Sequence, residues 1–345
     1  MNYKFSIVTE DDLSTIKSQL LNFDTDIYHS IEWLLLNKDL QEGEIYCIFL
    51  EDEKNCAFFP LIKRKIKGTS FFDLITPYGY GGVAFKKNTD ITFKENIFKL
   101  LKDCLSDTNC ISVFLRLHPL LNNNVKESEF VFSNGITLAT NLNSSYSDLY
   151  SKYSSGHKYD LKKSKKNENI SIVDDIDFIF FDEFIEIYLE TMRYLQATDF
   201  YFFDREYFYR MKGLLADRLK LVVVKCNEQV IGASLFMLDN GIIQYHLSGT
   251  TIDGKKYQPS KLILDYMIAW GISQDYHFLH LGGGVGGQQD ALYKFKKGFS
   301  ADEYSFYTVR LIINNTVYRQ LCLDLKLTNV EIDNISNFFP LYRKV

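Results

Sequence analysis

No two of the six cysteines form a Cys-x-x-Cys pair, so the usual signature of a zinc site or a dithiol redox centre is missing. Cys47, Cys56, Cys104, Cys110, Cys226 and Cys322 stand singly within apolar runs and read as reduced core residues. Unbroken apolar stretches are short. Even Phe178–Tyr194 is cut by Asp182, Glu183, Glu186 and Glu190, well below the roughly 18–20 residues that a membrane span requires. Met1–Glu10 has no apolar segment behind a basic start, so neither signal peptide nor anchor is expected, and the expected compartment is the cytosol. Positive charge is not in excess either: 39 Lys and Arg face 44 Asp and Glu, a net charge of -5. Such a surface does not coat DNA, because phosphate binding needs clustered Lys and Arg. No Gly-x-Ser-x-Gly elbow accompanies a Ser, His and Asp set. His277 and His280 are three apart in an extended segment and point to opposite faces, so no metal site is expected.

What is present is globular. Hydrophobic residues make up 46% and charged residues 24% of 345 positions, with 28 Phe and 23 Tyr against 2 Trp. That length suggests two domains. In the first half the patterns predict helices at 11–22 and 29–38 and a hairpin of Ile45–Leu50 with Cys56–Ile66. A strand at Phe71–Thr76, a loop, a helix at 92–105 and a strand at Ile111–Leu117 follow. The second half enters through helices in 145–166, 178–195 and 205–216. It then repeats the order: a hairpin of Leu219–Lys225 with Val230–Leu238, a strand at Gly241–Ser248, and a polar loop at 249–257. A helix opened by Pro259 and a strand at Phe278–Leu281 complete it. The recurrence implies a duplicated α/β domain with mixed sheets, divided into 1–143 and 144–345.

Several positions invite chemistry. Gly282, Gly283, Gly284, Gly286 and Gly287 follow a strand, where bare backbone allows a close approach to a ligand and exposed amides suit an anion or oxyanion. Lys255 and Lys256 precede the Pro259 helix, whose dipole adds to their attraction for phosphate. Tyr78, Gly79, Tyr80, Gly81 and Gly82 form a second loop, with tyrosine rings on which a sugar or nucleotide stacks. Lys158 belongs to a basic run with Lys162, Lys163, Lys165 and Lys166. Asp290 follows the glycines, as a general base or as a helix N-cap, while His246 and His280 lie in strands expected to flank the same groove.

Four segments, HSIEW (29–33), TPYGYGG (76–82), YQPSKLIL (257–264) and LGGGVGGQQDALYKFKKGF (281–299), give the chain a resemblance to the FemABX family. Its members carry tandem acetyltransferase-like domains and transfer amino acids from aminoacyl-tRNA to peptidoglycan precursors. The resemblance implies that Phe295 and Lys296 match the family's Phe-Lys pair, with Lys296 steadying the oxyanion of acyl transfer and Phe295 shaping the pocket. It also implies that the first half, through Tyr78–Gly82, holds the acceptor, and that Lys158 lies on the family's basic entry helix. The implied acceptor is a small-molecule, lipid-linked or nucleotide-linked glycan. No tightly bound cofactor is implied; the co-substrate is aminoacyl-tRNA or, alternatively, acyl-CoA or an acyl carrier protein. Two features are missing: no heptad pair for the coiled-coil arm that some family members insert fits between Leu195 and Lys220, and Gly249–Pro259 lacks the Gln/Arg-x-x-Gly-x-Gly/Ala coenzyme A fingerprint of ordinary acetyltransferases. A binding protein that has kept the fold without turnover is the remaining alternative.

Overall fold

The structure is a computed structural model that describes residues 3–122, 125–126, 128–335 and 338–344. In chain order its elements begin with β1 (Lys4–Val8), α1 (Leu13–Gln19), α2 (Ile31–Asn37), β2 (Glu44–Ile45), β3 (Cys47–Glu51) and β4 (Cys56–Phe59). Next come β5 (Ile62–Lys65), β6 (Phe72–Ile75), β7 (Ala84–Phe85), α3 (Ile91–Leu105), β8 (Cys110–Arg116) and β9 (Val131–Asn141). They continue with α4 (Tyr146–Ser151), α5 (Ser155–Lys165), β10 (Ile170–Asp174), α6 (Phe181–Tyr194), α7 (Arg205–Leu215), β11 (Leu219–Cys226) and β12 (Gln229–Asp239). The last are β13 (Ile242–Thr250), α8 (Pro259–Ser273), β14 (Phe278–Gly282), α9 (Ala291–Lys297), β15 (Asp302–Ile312), α10 (Asn315–Asp324) and α11 (Asn329–Asp333). Two compact units form: unit 1 is Met1–Gly135 with Ser305–Val345, and unit 2 is Ile136–Tyr304. Among the described residues no helix is long and apolar enough to cross a membrane.

In unit 1, β3 is buried on both faces. Ile48 and Leu50 join one apolar cluster with Leu74, Phe98 and Leu115, whereas Cys47 and Phe49 join another with Ile16, Leu34 and Phe58, as the two-residue period of a strand requires. The expected hairpin partner of β3, Cys56–Ile66, is in fact two strands. β4 pairs with β3 in a sheet ordered β1-β3-β4-β7, while β5 pairs with β2 and β6. Pro60 lies between them; without an N–H it cannot continue a ladder. β6 and β8 run parallel, with Phe72 opposite Cys110 and Ile75 opposite Phe114, and α3 makes the crossover between them. The other edge of β8 is paired by β15, Thr308 opposite Arg116 through Ile312 opposite Ser112.

Unit 2 repeats that plan. The order is β10-β11-β12-β13-β14-β9, antiparallel except for the parallel pair β13 and β14, which α8 connects. Leu262, Ile263, Met267 and Ile268 of α8 pack with Val222, Phe236, Ile243 and Leu279 of the sheet. The unit boundaries differ from the 1–143 and 144–345 division read from sequence. Residues 138–141 pair with β14 and 308–312 pair with β8, so each flanking strand goes with the unit whose sheet it completes.

Candidate active site

β13 and β14 stay paired for only three rungs, ending at Gln244 opposite His280. Beyond that rung β13 runs on to Thr250 while β14 stops at Gly282, leaving a gap between the carboxyl ends of two parallel strands. A bulge helps them part: Leu235 pairs with Leu247 and Phe236 with Tyr245, so His246 is the extra residue and the strand twists there. Burial pushes the His246 imidazole down to about 3, which leaves it neutral and too weak a base to hold a proton near pH 7. At the last rung the His280 Nδ1–H donates to Gln244 Oε1 at 2.7 Å, both residues being buried. Gln244 was not singled out from the sequence, although a lone amide after Ile242 and Ile243 in an apolar strand was the available signal.

The glycines bend the chain away from β14. Gly282, Gly286 and Gly287 have φ of 71°, 60° and 76°, conformations that favour glycine. Space matters more at Gly284, where a Cβ would lie 2.1 Å from the Gln288 carbonyl and 2.4 Å from Asp290 Oδ1. Asp290 then caps α9, accepting the Tyr293 N–H at 2.9 Å, so its N-cap role is realised. Three lysines follow on α9, and the structure separates them: Lys294 and Lys297 are exposed, whereas Lys296 is 7% exposed. Its ammonium donates to the Gly283 carbonyl at 2.7 Å. Burial pushes Lys296 down to about 8, with Asp290 acting in the opposite direction. Among the described residues this is the one acceptor that its three N–H donors meet.

Phe295 is half-buried on the core of unit 2, and its carbonyl accepts the His157 Nε2–H at 2.9 Å. A Cβ on Gly298 would come within 2.6 Å of the His157 ring. The Lys-Gly-Phe end of the motif therefore seats His157, which in turn fixes the turn of α9 bearing Phe295 and Lys296. Sequence reading passed over His157 because it stands among the lysines of α5.

The remaining positions are less concentrated. Lys255 and Lys256 are exposed and lie over the rings of Tyr194 and Tyr257, at 3.2 and 5.0 Å. A cleft of about 710 Å³ beside Thr251–Asp253 is lined by Asp182, Glu183, Glu186, Glu190 and Glu228 with Arg205, which pairs with Asp182 and Glu186; the remaining negative charge opposes a phosphate there. Lys158 donates to the Ser151 carbonyl at 2.6 Å.

In unit 1 two of the motifs meet. The Trp33 Nε1–H donates to the Tyr78 carbonyl at 2.7 Å, so HSIEW anchors the TPYGYGG loop. At Gly79, φ is 95° and a Cβ would lie 2.2 Å from the Tyr28 ring. Tyr80 stands edge-on to Tyr28 and Phe306, at 5.7 and 5.1 Å. Beneath them, buried Asp26 lies 3.2 Å from His29 Nδ1 and 3.0 Å from His118 Nε2. Burial alone would raise its carboxyl; the two histidines instead hold it far below the usual range. This Asp26–His118 contact joins residues far apart in the chain and had no sequence signal.

Residues 138–297 match the family model described as an acetyltransferase (GNAT) domain, nearly the whole of unit 2. The crystal structure of FemX superposes with a TM-score of 0.67 at 12% identity, covering 92% of this chain and 99% of that one. A protein of unknown function from Bacteroides thetaiotaomicron gives 0.55 at 14% identity, with coverages of 90% and 100%. L-PGS from Bacillus licheniformis gives 0.53 at 11% identity, with coverages of 92% and 96%. Comparison with curated protein sequences finds no match. The chain therefore has the fold seen in FemX, a mixed α/β architecture, and its second unit carries an acetyltransferase-type domain.

Proposed function

We propose that this chain transfers an acyl or aminoacyl group from an activated donor to an amine, with the reacting carbonyl in the gap between β13 and β14. The supporting observation is Lys296, a buried cation at the end of that gap with donors to spare. The amine nitrogen attacks the carbonyl carbon and the π pair moves onto oxygen. Lys296 donates a hydrogen bond to that oxyanion, where burial makes the interaction strong. Collapse breaks the bond from carbon to the donor's sulfur or oxygen; the leaving group takes up a proton and the new amide nitrogen gives one up. Asp290 is a positioning residue: it caps α9 and sustains the charge of Lys296. The bare backbone of Gly282–Gly284 and Gly286–Gly287 admits the donor, with Phe295 shaping the apolar wall.

The acceptor is an amine on a lipid-linked or nucleotide-linked glycan precursor of the cell envelope, as the FemABX resemblance implies, with Tyr78–Gly82 and Lys158 as its contacts. The match to a GNAT domain favours a second donor class, acyl-CoA or an acyl carrier protein, over aminoacyl-tRNA, with an amino sugar as acceptor. Parallel assays separate the two: thiol release from acyl-CoA, and deacylation of charged tRNA, each with a glycan amine. In whichever assay is active, Lys296→Met should cut turnover by about a hundredfold or more while leaving the circular-dichroism spectrum unchanged. Turnover close to that of the unaltered protein would remove Lys296 from the chemistry.

A further inference from the structure

We infer that unit 1 has an oxyanion site of its own, built on the Arg116 guanidinium at the carboxyl ends of its parallel strands β6 and β8. It rests on the reading of Tyr78–Gly82 as the acceptor loop only for what the anion belongs to, and its test does not depend on Lys296.

Charge is unbalanced around Arg116. Asp73, fully buried on β6, accepts Arg64 Nε at 2.7 Å on Oδ1, and on Oδ2 it accepts Arg343 Nε at 2.7 Å and the Tyr342 hydroxyl at 3.1 Å. Both of its oxygens are thus engaged. Arg116 stands close enough to Arg64 for the two cations to repel, yet among the described residues it has no ion-pair partner, and its Nη1 is shut from solvent with no acceptor. Asp73 is thus shared by Arg64 and Arg343, and Arg116 is left without a carboxylate among the described residues. Burial and Arg64 push Arg116 down to about 10, so it remains charged at neutral pH. The ring of Phe114, 5.0 Å away, offsets only part of the cost of a buried cation.

A second orphaned group lies at the same strand end. The Gln41 amide donates through Nε2 to the Thr76 carbonyl at 3.3 Å, and the backbone N–H of Arg116 donates to the Thr76 hydroxyl at 3.1 Å. With Nε2 held by a carbonyl, Gln41 Oε1 must face away, and it too is buried without a donor. A ligand presenting an oxyanion beside an O–H or N–H would complete both groups: phosphate or carboxylate for Arg116, hydroxyl or amide for Gln41. Tyr78, Tyr80, Gln41 and Arg116 are each half-buried, so the site belongs to the surface of the unit and not to its apolar core. A phosphorylated or carboxylated sugar has this chemistry.

The test uses the full chain. Inorganic phosphate and acetate are titrated at constant ionic strength by calorimetry and by thermal melting, the two probes distinguishing the two sources of charge. At least one should raise the melting midpoint of the unaltered protein. Arg116→Gln should weaken that binding tenfold or more, yet melt no lower than the unaltered protein without anion, because it removes an uncompensated charge; Arg116→Lys should retain part of the binding. Lys296→Met should bind the anion normally, which keeps a failure here distinct from a failure of the transfer chemistry. Equal affinity in Arg116→Gln, or no stabilisation of the unaltered protein by either anion, would overturn the site.

Discussion

Lys296 shows how much a single burial decides. Its folded-state value near 8 lies below the ordinary 10.5, so between those values the unfolded chain binds more protons and stability rises with pH. The same shift sets an activity limb. If the ammonium steadies the oxyanion, kcat/KM should fall about tenfold per pH unit above pH 8, and Lys296→Arg should move that limb upward. A rate that stays level from pH 8 to 10 would exclude the ammonium form as the working one. In unit 1, Trp33→Phe removes the donor to the Tyr78 carbonyl and should cost about 1–3 kcal/mol in urea unfolding. A change well under 0.5 kcal/mol would show that the TPYGYGG loop does not rely on it. At this scale the sequence is legible where residues that meet are close in the chain: Gly283 and Lys296, joined by a hydrogen bond, stand in one short string. Arg116 was not legible, because its lack of a carboxylate is visible only once Asp73 is seen to be engaged by Arg64 and Arg343.

Among elements, the loop from β14 to α9 carries the tightest constraint. Gly284→Ala places a methyl against the Gln288 carbonyl and the Asp290 carboxylate. It should cost about 1–3 kcal/mol and lower turnover through the displaced cap, whereas Gly286→Ala, with no neighbour within 4 Å, should cost less despite its positive φ. Equal melting midpoints for the two variants would refute the steric account. The strand-helix-strand pairs around α3 and α8 were readable because long apolar stripes and Pro259 mark them. β9 was not. Ser133, Asn134 and Gly135 interrupt its alternation and its burial begins only at Thr137, so no strand is predicted there and β14 supplies the partner that makes one. Pro60 was visible in the sequence, but its consequence, two strands in two sheets, depends on which edges lie nearby.

For the whole molecule, the last residues hold unit 1 together rather than ending unit 2. Ile111, Tyr318, Cys322, Phe339 and Leu341 form one apolar cluster, and Arg343 and Tyr342 reach Asp73. Asp73→Ala should strand the Arg64 and Arg343 guanidiniums and cost about 3–5 kcal/mol, with faster hydrogen exchange across 338–344 and no change in α8. Unchanged exchange in 338–344 would mean that the apolar cluster alone secures the segment. Duplication was legible from the recurring element order; the return of residues 305–345 to unit 1 was not, since nothing local in β15 says which edge it pairs.

That return has a consequence for synthesis. Every strand of the unit 2 sheet lies between residues 131 and 282, so it can close while translation continues. The outer edge of β8, by contrast, waits for 308–312. On the ribosome the amino-terminal half is thus the later of the two to mature, holding an open edge through the making of nearly two hundred residues, a natural point for a chaperone to act.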